Sequence, residues 1–508
     1  MSVLNLIILI PIIAAAAVLL GAPARRTALG AAAVNLILTL AAIFQFDPSS
    51  TERFQFISSF TVLDGWDMKY FVGADGLSLL MLLLTAIVTL AAIWVTPAVS
   101  KFEKQFYACL LFISAGAAGA FASLDLFFFY AFHELALIPT FLLIGIWGSG
   151  DRQAAAWKIT IYLSVGSFVL LVGLIGLYQI LPETLRTFDI PKLQQLAAAG
   201  KLASPDANSI YLLLLIGFGI LISLFPFHTW APQAYASAPA PATMLHSGVL
   251  KKFGLYGLLR VALPLLPGAG NQAFHLHLCC FGFTFTANNL LLVLLVGNIL
   301  YVGLVTIAQK QLDLMLGYSS VMHMGYIFLG IAAFNPLGLT GAALLMFSHG
   351  LSIAALFAIA GHLRKRTDTL AFANLGGLAK PMPVLGFLFG LAAFASIGLP
   401  GFGNFAAEIM VFFGAFGNAG DGLHFSNLQI TTMLALWGVV ISAVYMLRAY
   451  RAVFMGPINK RWAQLPDIGS SLRAPLILLI AALLFAGFCP RVFTRIIQPA
   501  IQALIASR

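Results

Sequence analysis

Apolar runs of about 20 residues, separated by short polar or Pro/Gly-rich breaks, recur along the whole chain, and a helix of that length crosses a bilayer while satisfying its own backbone. The breaks delimit about fourteen such runs, at 2–21, 28–46, 76–97, 105–122, 124–147, 157–180, 209–229, 233–263, 286–307, 312–334, 336–362, 381–415, 429–452 and 473–490. The pattern predicts an all-α polytopic membrane protein. The first run lacks the basic leading region of a signal peptide and further spans follow, so it reads as a retained helix. Two runs are predicted to be broken: FPFHTWAPQAYASAPAP carries Pro226, Pro232, Pro239 and Pro241, and SIGLPGFGNFAAE carries Gly398, Pro400, Gly401 and Gly403. Proline removes a backbone donor and clashes with the preceding turn, and unwound backbone at membrane depth is tolerated only against protein or water. Two breaks at matching positions, five spans apart, mark the repeated halves of transporter folds; the alternative is two kinks that serve packing.

Charge placement orients the runs. Lys and Arg in excess belong on cytoplasmic loops. Loops after odd-numbered runs hold Arg25 and Arg26, Lys101 and Lys104, Arg152, Lys310, Arg364 to Arg366, and Lys460 and Arg461; the others hold fewer, such as Arg53, Lys69, Arg186, Lys192 and Lys201. Both termini are therefore expected on the non-cytoplasmic side. The loop at about 181–208, polar and partly amphipathic, reads as an ordinary surface connection.

Composition agrees: 61% of residues are hydrophobic and 9% charged. The net charge of +10 is spread between the apolar runs rather than gathered on a basic face, which argues for topology and against nucleic acid. Cys109, Cys279, Cys280 and Cys489 lack the paired spacing of a metal or cluster site and read as packing residues. There is no dinucleotide fingerprint and no P-loop. The chain is expected to bind no metal or cofactor and to move ions without oxidising anything.

Candidate chemistry lies in ionisable residues inside the runs, where a charge costs a few kcal/mol unless it faces a wet cavity or a partner. These are Glu134 and Glu408, the bases Lys251, Lys252 and Arg260, and the histidines His133, His228, His246, His323 and His349. A lone histidine is readily a satisfied structural group. Glu134 and Glu408 together with Lys252 form a set suited to relaying protons, since each group's proton affinity responds to the charge beside it.

Several segments carry a resemblance: ADGLSLLMLLLT, DLFFFYAFHELALIPTFLLIGIWG, FPFHTWAPQAYASAPAPAT, LKKFGLYGLLR, GYSSVMHMGYIFLGI, SHGLSIAALF and GLPGFGNFAAEIMVFFGAF. Together they resemble the antiporter-like membrane subunits of respiratory NADH–quinone oxidoreductase (complex I), a family shared with Mrp sodium/proton antiporters and membrane-bound hydrogenases. The resemblance implies fourteen helices in a prokaryotic inner membrane: helices 1–3 within 1–100, an inverted five-helix repeat at 101–263 broken near 221–241, a second at 286–452 broken near 398–408, and a C-terminal helix and tail at 453–508. It implies a proton path in which Glu134 is the essential acid of the fifth helix, Lys252 bridges the input side to the centre, His323 and His349 serve the second half, and Glu408 is the terminal acid. Lys251, His228 and His246 are secondary candidates. A glutamate at the terminal position favours the subunit M (chain 4) branch. NADH, FMN, iron–sulfur clusters and quinone are expected on partner subunits, with sister antiporter-like subunits beside this chain.

Two departures stand out. The family usually has a lysine seven residues before the histidine of H-x-W-x-P, to pair with the fifth-helix glutamate; here that residue is Leu221. The usual D-L-K-R before the tenth helix is matched by Gln311, Leu312, Asp313 and Leu314. Three readings stay open: a complex I subunit in which Lys251, Lys252 or a histidine substitutes, a divergent subunit that supports assembly without conducting, or a component of an Mrp-type antiporter or hydrogenase complex.

Overall fold

The computed structural model describes residues 2–278, 281–417 and 425–506. α1 (Val3–Leu20) and α2 (Ala24–Gln45) form an antiparallel pair, followed by a β-hairpin of β1 (Gln55–Leu63) and β2 (Met68–Ala74). Then come α3 (Gly76–Val95), α4 (Glu103–Ala122), α5 (Leu126–Trp147), α6 (Arg152–Gln179), the short α7 (Ile190–Ala198), α8 (Ala207–Ile222) and α9 (Trp230–Ser237). The next rod is irregular: α10 (Ala240–Leu245), a π-helical turn His246–Leu250, α11 (Lys252–Gly257), a second π turn Leu258–Ala262, and α12 (Leu263–Leu265). A second hairpin, β3 (Ala273–Leu278) and β4 (Phe281–Thr286), precedes α13 (Ala287–Val296) and α14 (Val302–Ala308), which flank a third π turn. The chain ends with α15 (Leu312–Ala333), α16 (Pro336–Thr367), α17 (Pro383–Ile397), α18 (Gly403–Phe416), α19 (Asn427–Phe454), α20 (Ser470–Phe488) and α21 (Pro490–Ala506). Counting Ala287–Ala308 as one span, eleven described helices are long and apolar enough to cross a membrane; α8, α17 and α18 are shorter apolar helices.

Both expected breaks are present. α8 stops at Ser223, which takes a left-handed conformation, and the chain runs irregularly through a cis Phe225–Pro226 bond before α9 begins. α17 stops at Gly398, whose φ is +82°, and α18 starts at Gly403.

Several expectations need correction. The runs at 209–229 and 233–263 divide differently, because Trp230–Ser237 is a separate helix and Ala238–Pro239 ends it; proline at the head of α10 suits a helix start, where a missing N–H is harmless. The all-α membrane class holds, with two hairpins added to it: QFISSFTVL is too short and too polar to span and pairs with MKYFVGA. The 181–208 connection contains α7, which buries Ile190 and Leu193, and the C-terminal tail is the amphipathic α21, which buries Phe493, Ile497 and Ile501. Cys109 is buried as expected, Cys489 is exposed at the end of α20, and Cys279 and Cys280 lie outside the described residues.

The centre is built by α3 and α16, buried along their apolar windows, with α4 and α15 nearly so. Between lipid-facing helices burial against lipid and against protein are nearly equivalent, so close contact depends on small residues. The decisive contact is the crossing of Gly248 and Gly350: a Cβ on Gly350 would lie 2.6 Å from the Gly248 carbonyl oxygen, and one on Gly248 would lie 3.0 Å from that of Gly350. Glycine at 350 is what lets the first π turn sit this close to α16, and a side chain at 248 would crowd the same contact.

Candidate functional site

That crossing brings Lys252 to His349. The Lys252 Nζ donates to the Ser247 carbonyl at 2.6 Å and shares a hydrogen bond with His349 Nδ1 at 3.1 Å, although the residues are 97 apart in sequence. The π turn inserts a residue just before them, so both Lys251 and Lys252 point inward; they are 1% and 0% exposed. Among the described residues, no carboxylate lies within ion-pairing distance of either lysine. Lys251 Nζ instead approaches Ser320 Oγ at 3.4 Å and lies 5.6 Å from the Tyr235 ring.

From His349 the polar line continues into the second half. The His323 and His349 rings are 5.5 Å apart, and His323 is held by the carbonyls of Ser319 (2.8 Å) and Ser396 (2.9 Å), the latter two residues before the break at Gly398. A neutral His323 ring donates to one of these two carbonyls and a protonated ring to both. Ser319 Oγ and Tyr445 OH are 2.8 Å apart. Glu408 is 4% exposed, its Oε1 has no hydrogen-bond partner, and its carboxyl group lies against Gly398, where a Cβ would come within 2.3 Å of Oε2. Tyr326 and Tyr445 are within its electrostatic reach. The second break thus holds a buried acid beside unwound backbone.

Glu134 stands apart. It accepts a short hydrogen bond from Ser167 Oγ of α6, Ser167 also reaches Tyr130 OH at 3.4 Å, and His133 Nδ1 is 3.5 Å from Glu134 Oε1. The His133 ring stacks on Phe253, next to Lys252, at 4.0 Å. The Glu134 side chain is 36% exposed, on the outer face that also presents Ile138 and Phe168. Leu221 packs beside Gly166, the neighbour of Ser167, and is buried.

Of the secondary candidates, His246 Nδ1 lies 3.1 Å from Tyr235 OH and within electrostatic reach of Lys251, His133 and Lys252. His228 sits at the first break among the rings of Phe225, Tyr301 and Tyr318, with Nδ1 unpaired. The primary candidates therefore fall into three groups: Glu134 with His133; Lys252 with His349 and His323; and Glu408.

Three residues named in the sequence have partners that the sequence does not reveal. His133 adjoins Glu134 in the chain, which was the available signal. Arg260 was noted only as an interior base, yet it forms a bidentate pair with Asp75 (2.7 and 2.6 Å) and bonds Tyr256 OH and Ser78 Oγ. Asp75 also accepts the Ser78 N–H as the cap of α3, so ADGLS signalled a helix start but not its distant arginine. Asp313, noted only as a departure, pairs with Arg364, which also bonds Ser149 Oγ and the Ala236 carbonyl and so ties α15 and α16 to the first half.

Two interrupted spans flanking buried lysine, histidine and glutamate define a transporter-like helical membrane protein. Residues 123–435 match the family described as NADH:quinone oxidoreductase/Mrp antiporter, TM. The chain is 34% identical over 478 residues to NADH-quinone oxidoreductase subunit M of Rickettsia felis, covering 93% of this chain and 90% of that one. It is also 34% identical over 504 residues to F(420)H(2) dehydrogenase subunit M of Methanosarcina mazei, covering 96% and 95%. Its fold matches a chain of respiratory complex I from Thermus thermophilus with bound NADH, with a TM-score of 0.87, 28% identity and 99% coverage of both. The chain belongs to the NADH:quinone oxidoreductase/Mrp antiporter membrane family.

Proposed function

We propose that this chain is the antiporter-like subunit M (chain 4) of a proton-translocating NADH–quinone oxidoreductase, and that it relays protons from Glu134 through His133, Lys251/Lys252, His349 and His323 to Glu408. The observation that carries this reading is the Lys252–His349 contact, a direct amine–imidazole bond between the two halves at the glycine crossing. Either partner can hold the shared proton: a Lys252 ammonium donates to an unprotonated Nδ1, or a protonated Nδ1 donates to a neutral amine. Moving that proton shifts charge from the first half to the second, and the neighbouring groups respond. The steps from His133 to the lysines, from His349 to His323 and from His323 to Glu408 need intervening water.

The halves correspond to repeats at about 101–263 and 286–452, each with one interrupted span. The basic loop ends face the cytoplasm and both termini face the opposite side. Access from the basic side leads through Tyr235, which lines a cavity there and touches His246 and Lys251. The half-exposed Glu134 on an apolar outer face points to coverage by a neighbouring membrane subunit rather than lipid. Electron transfer, with NADH, FMN, iron–sulfur clusters and quinone, belongs to partner subunits.

One observation favours a second reading, a subunit that supports assembly without conducting: Leu221 packs against Gly166 where a cation would otherwise face Glu134. The test is to purify the tagged complex, confirm NADH–quinone activity, and compare proton pumping of wild type and Lys252→Met in proteoliposomes. The relay predicts an assembled Lys252→Met complex with severely reduced coupled turnover. Wild-type pumping in that variant supports the non-conducting reading, and sodium/proton exchange without NADH oxidation overturns the assignment to the respiratory enzyme.

A further inference from the structure

A cavity of about 750 Å³ opens at the basic end, between the α3–α4 loop, the turn joining α9 to α10, the end of α16 and the start of α20. Arg25, Arg364, Lys365 and Arg366 line it, and Asp313 is the carboxylate among its lining residues. Asp313 is committed to Arg364. Asp467, near His362, is engaged by the backbone N–H groups of Val384 (2.8 Å) and Leu385 (3.3 Å). Arg25, Lys365 and Arg366 are thus left without a carboxylate within ion-pairing distance among the described residues.

Two further observations converge on the same space. The first turn of α20 contributes Gly469 and Ser471 to the lining, and no side chain caps that helix, so its positive end faces the cavity. His362 also lines the cavity, and its Nε2 is buried without a hydrogen-bond partner. Cations at span ends follow from topology alone, but an uncapped helix start lining the same cavity does not. Together they supply the donors a phosphate group takes: guanidinium, ammonium and backbone N–H.

The rest of the lining mixes hydroxyl residues such as Ser100 and Thr243 with an apolar part that includes Phe106, Phe357 and Leu472, beside Trp94 and Trp147, a residue type enriched where membranes meet water. We propose that this cavity binds a phosphate group, presented by the headgroup of an anionic phospholipid in the leaflet at the basic end. The phosphate sits between Arg25, Lys365, Arg366 and the start of α20, and the glyceride portion rests on the apolar wall. Tyr235 lies deeper in the same cavity and is 3% exposed, so the bound phosphate offsets positive charge at the mouth of the route toward His246 and Lys251.

The test uses the intact purified complex, stripped of loosely held lipid and examined by native mass spectrometry during titration with phosphatidylglycerol or phosphatidylcholine. Wild type is expected to retain phosphatidylglycerol in preference to phosphatidylcholine. Arg25→Gln/Lys365→Gln/Arg366→Gln should weaken that retention by at least about tenfold, each basic group near a lipid phosphate counting for a useful share of the affinity. Lys365→Gln/Arg366→Gln, which keeps Arg25 at the α1–α2 turn, serves if the triple variant assembles poorly and should lose part of the preference. Millimolar inorganic phosphate separates the sources: competition with phosphatidylglycerol fits the headgroup, and saturable binding of inorganic phosphate without lipid retention fits a free anion. Equal lipid retention by wild type and both variants, with no phosphate effect, overturns the proposal.

Discussion

Replacing Gly398 by alanine perturbs Glu408 without touching its chemistry. The new Cβ would fall 2.3 Å from Glu408 Oε2 and 3.1 Å from Cδ, so the carboxyl group must retreat by about 1 Å to reach ordinary contact. The backbone at Gly398 has φ of +82°, which costs an L-residue roughly 1–2 kcal/mol. Gly401 is the matched control: its φ is +98°, but a Cβ there would meet only Phe488, at an ordinary 3.5 Å. Both variants place an L-residue at positive φ, and only Gly398→Ala displaces the acid. Because a misplacement of about 1 Å in a reacting group can cost up to about 100-fold, Gly398→Ala should lower coupled turnover at least about tenfold below Gly401→Ala. The assay is NADH-driven acidification of proteoliposomes per assembled complex, with thermal midpoints measured alongside. Equal pumping by the two variants would refute the placement of Glu408 on the proton path.

Glu134→Gln keeps the volume and the acceptor for Ser167 but removes the ionisable group; assembly should be normal and coupled NADH oxidation reduced several-fold, and normal pumping would make Glu134 structural. Leu221→Lys places an ammonium beside Gly166 and Ser167: assembly at wild-type yield is expected if it meets Glu134, whereas an unpaired cation there costs several kcal/mol and should block assembly. Asp125, the N-cap just outside α5, is pushed up to about 6 from 3.8, chiefly by burial and against the backbone N–H bonds it accepts. Its folded form therefore holds a proton more tightly than the unfolded chain. That stabilisation, on the order of 3 kcal/mol, is present below about pH 4 and is lost as pH rises through about 6. Thermal midpoints across this window should decline less steeply in Asp125→Asn than in wild type, and identical slopes would contradict the assignment.

The long apolar spans were legible because length and hydropathy alone decide whether a helix crosses a bilayer, and both breaks were legible from proline and glycine. The hairpins were not: QFISSFTVL carries its signal in its pairing with MKYFVGA, a partner that periodicity within one segment does not reveal. The division at Ala238–Pro239 was obscured because four prolines in one stretch mark several places where a helix can stop. Glu408 and Glu134 were legible as costly acids inside apolar runs. Their surroundings were not, since the Lys252–His349 bond joins residues 97 apart and the Asp75–Arg260 pair residues 185 apart, and both depend on how helices cross. The π turn that aims two adjacent lysines inward also leaves no mark in the periodicity.

The most direct measurement is the number of protons moved per NADH oxidised by the reconstituted complex, compared between wild type and Glu134→Gln/Lys252→Met. If this chain conducts through those groups, the double variant either loses coupled turnover or moves fewer protons per NADH while remaining fully assembled. An assembled double variant with wild-type turnover and the wild-type ratio would contradict the relay.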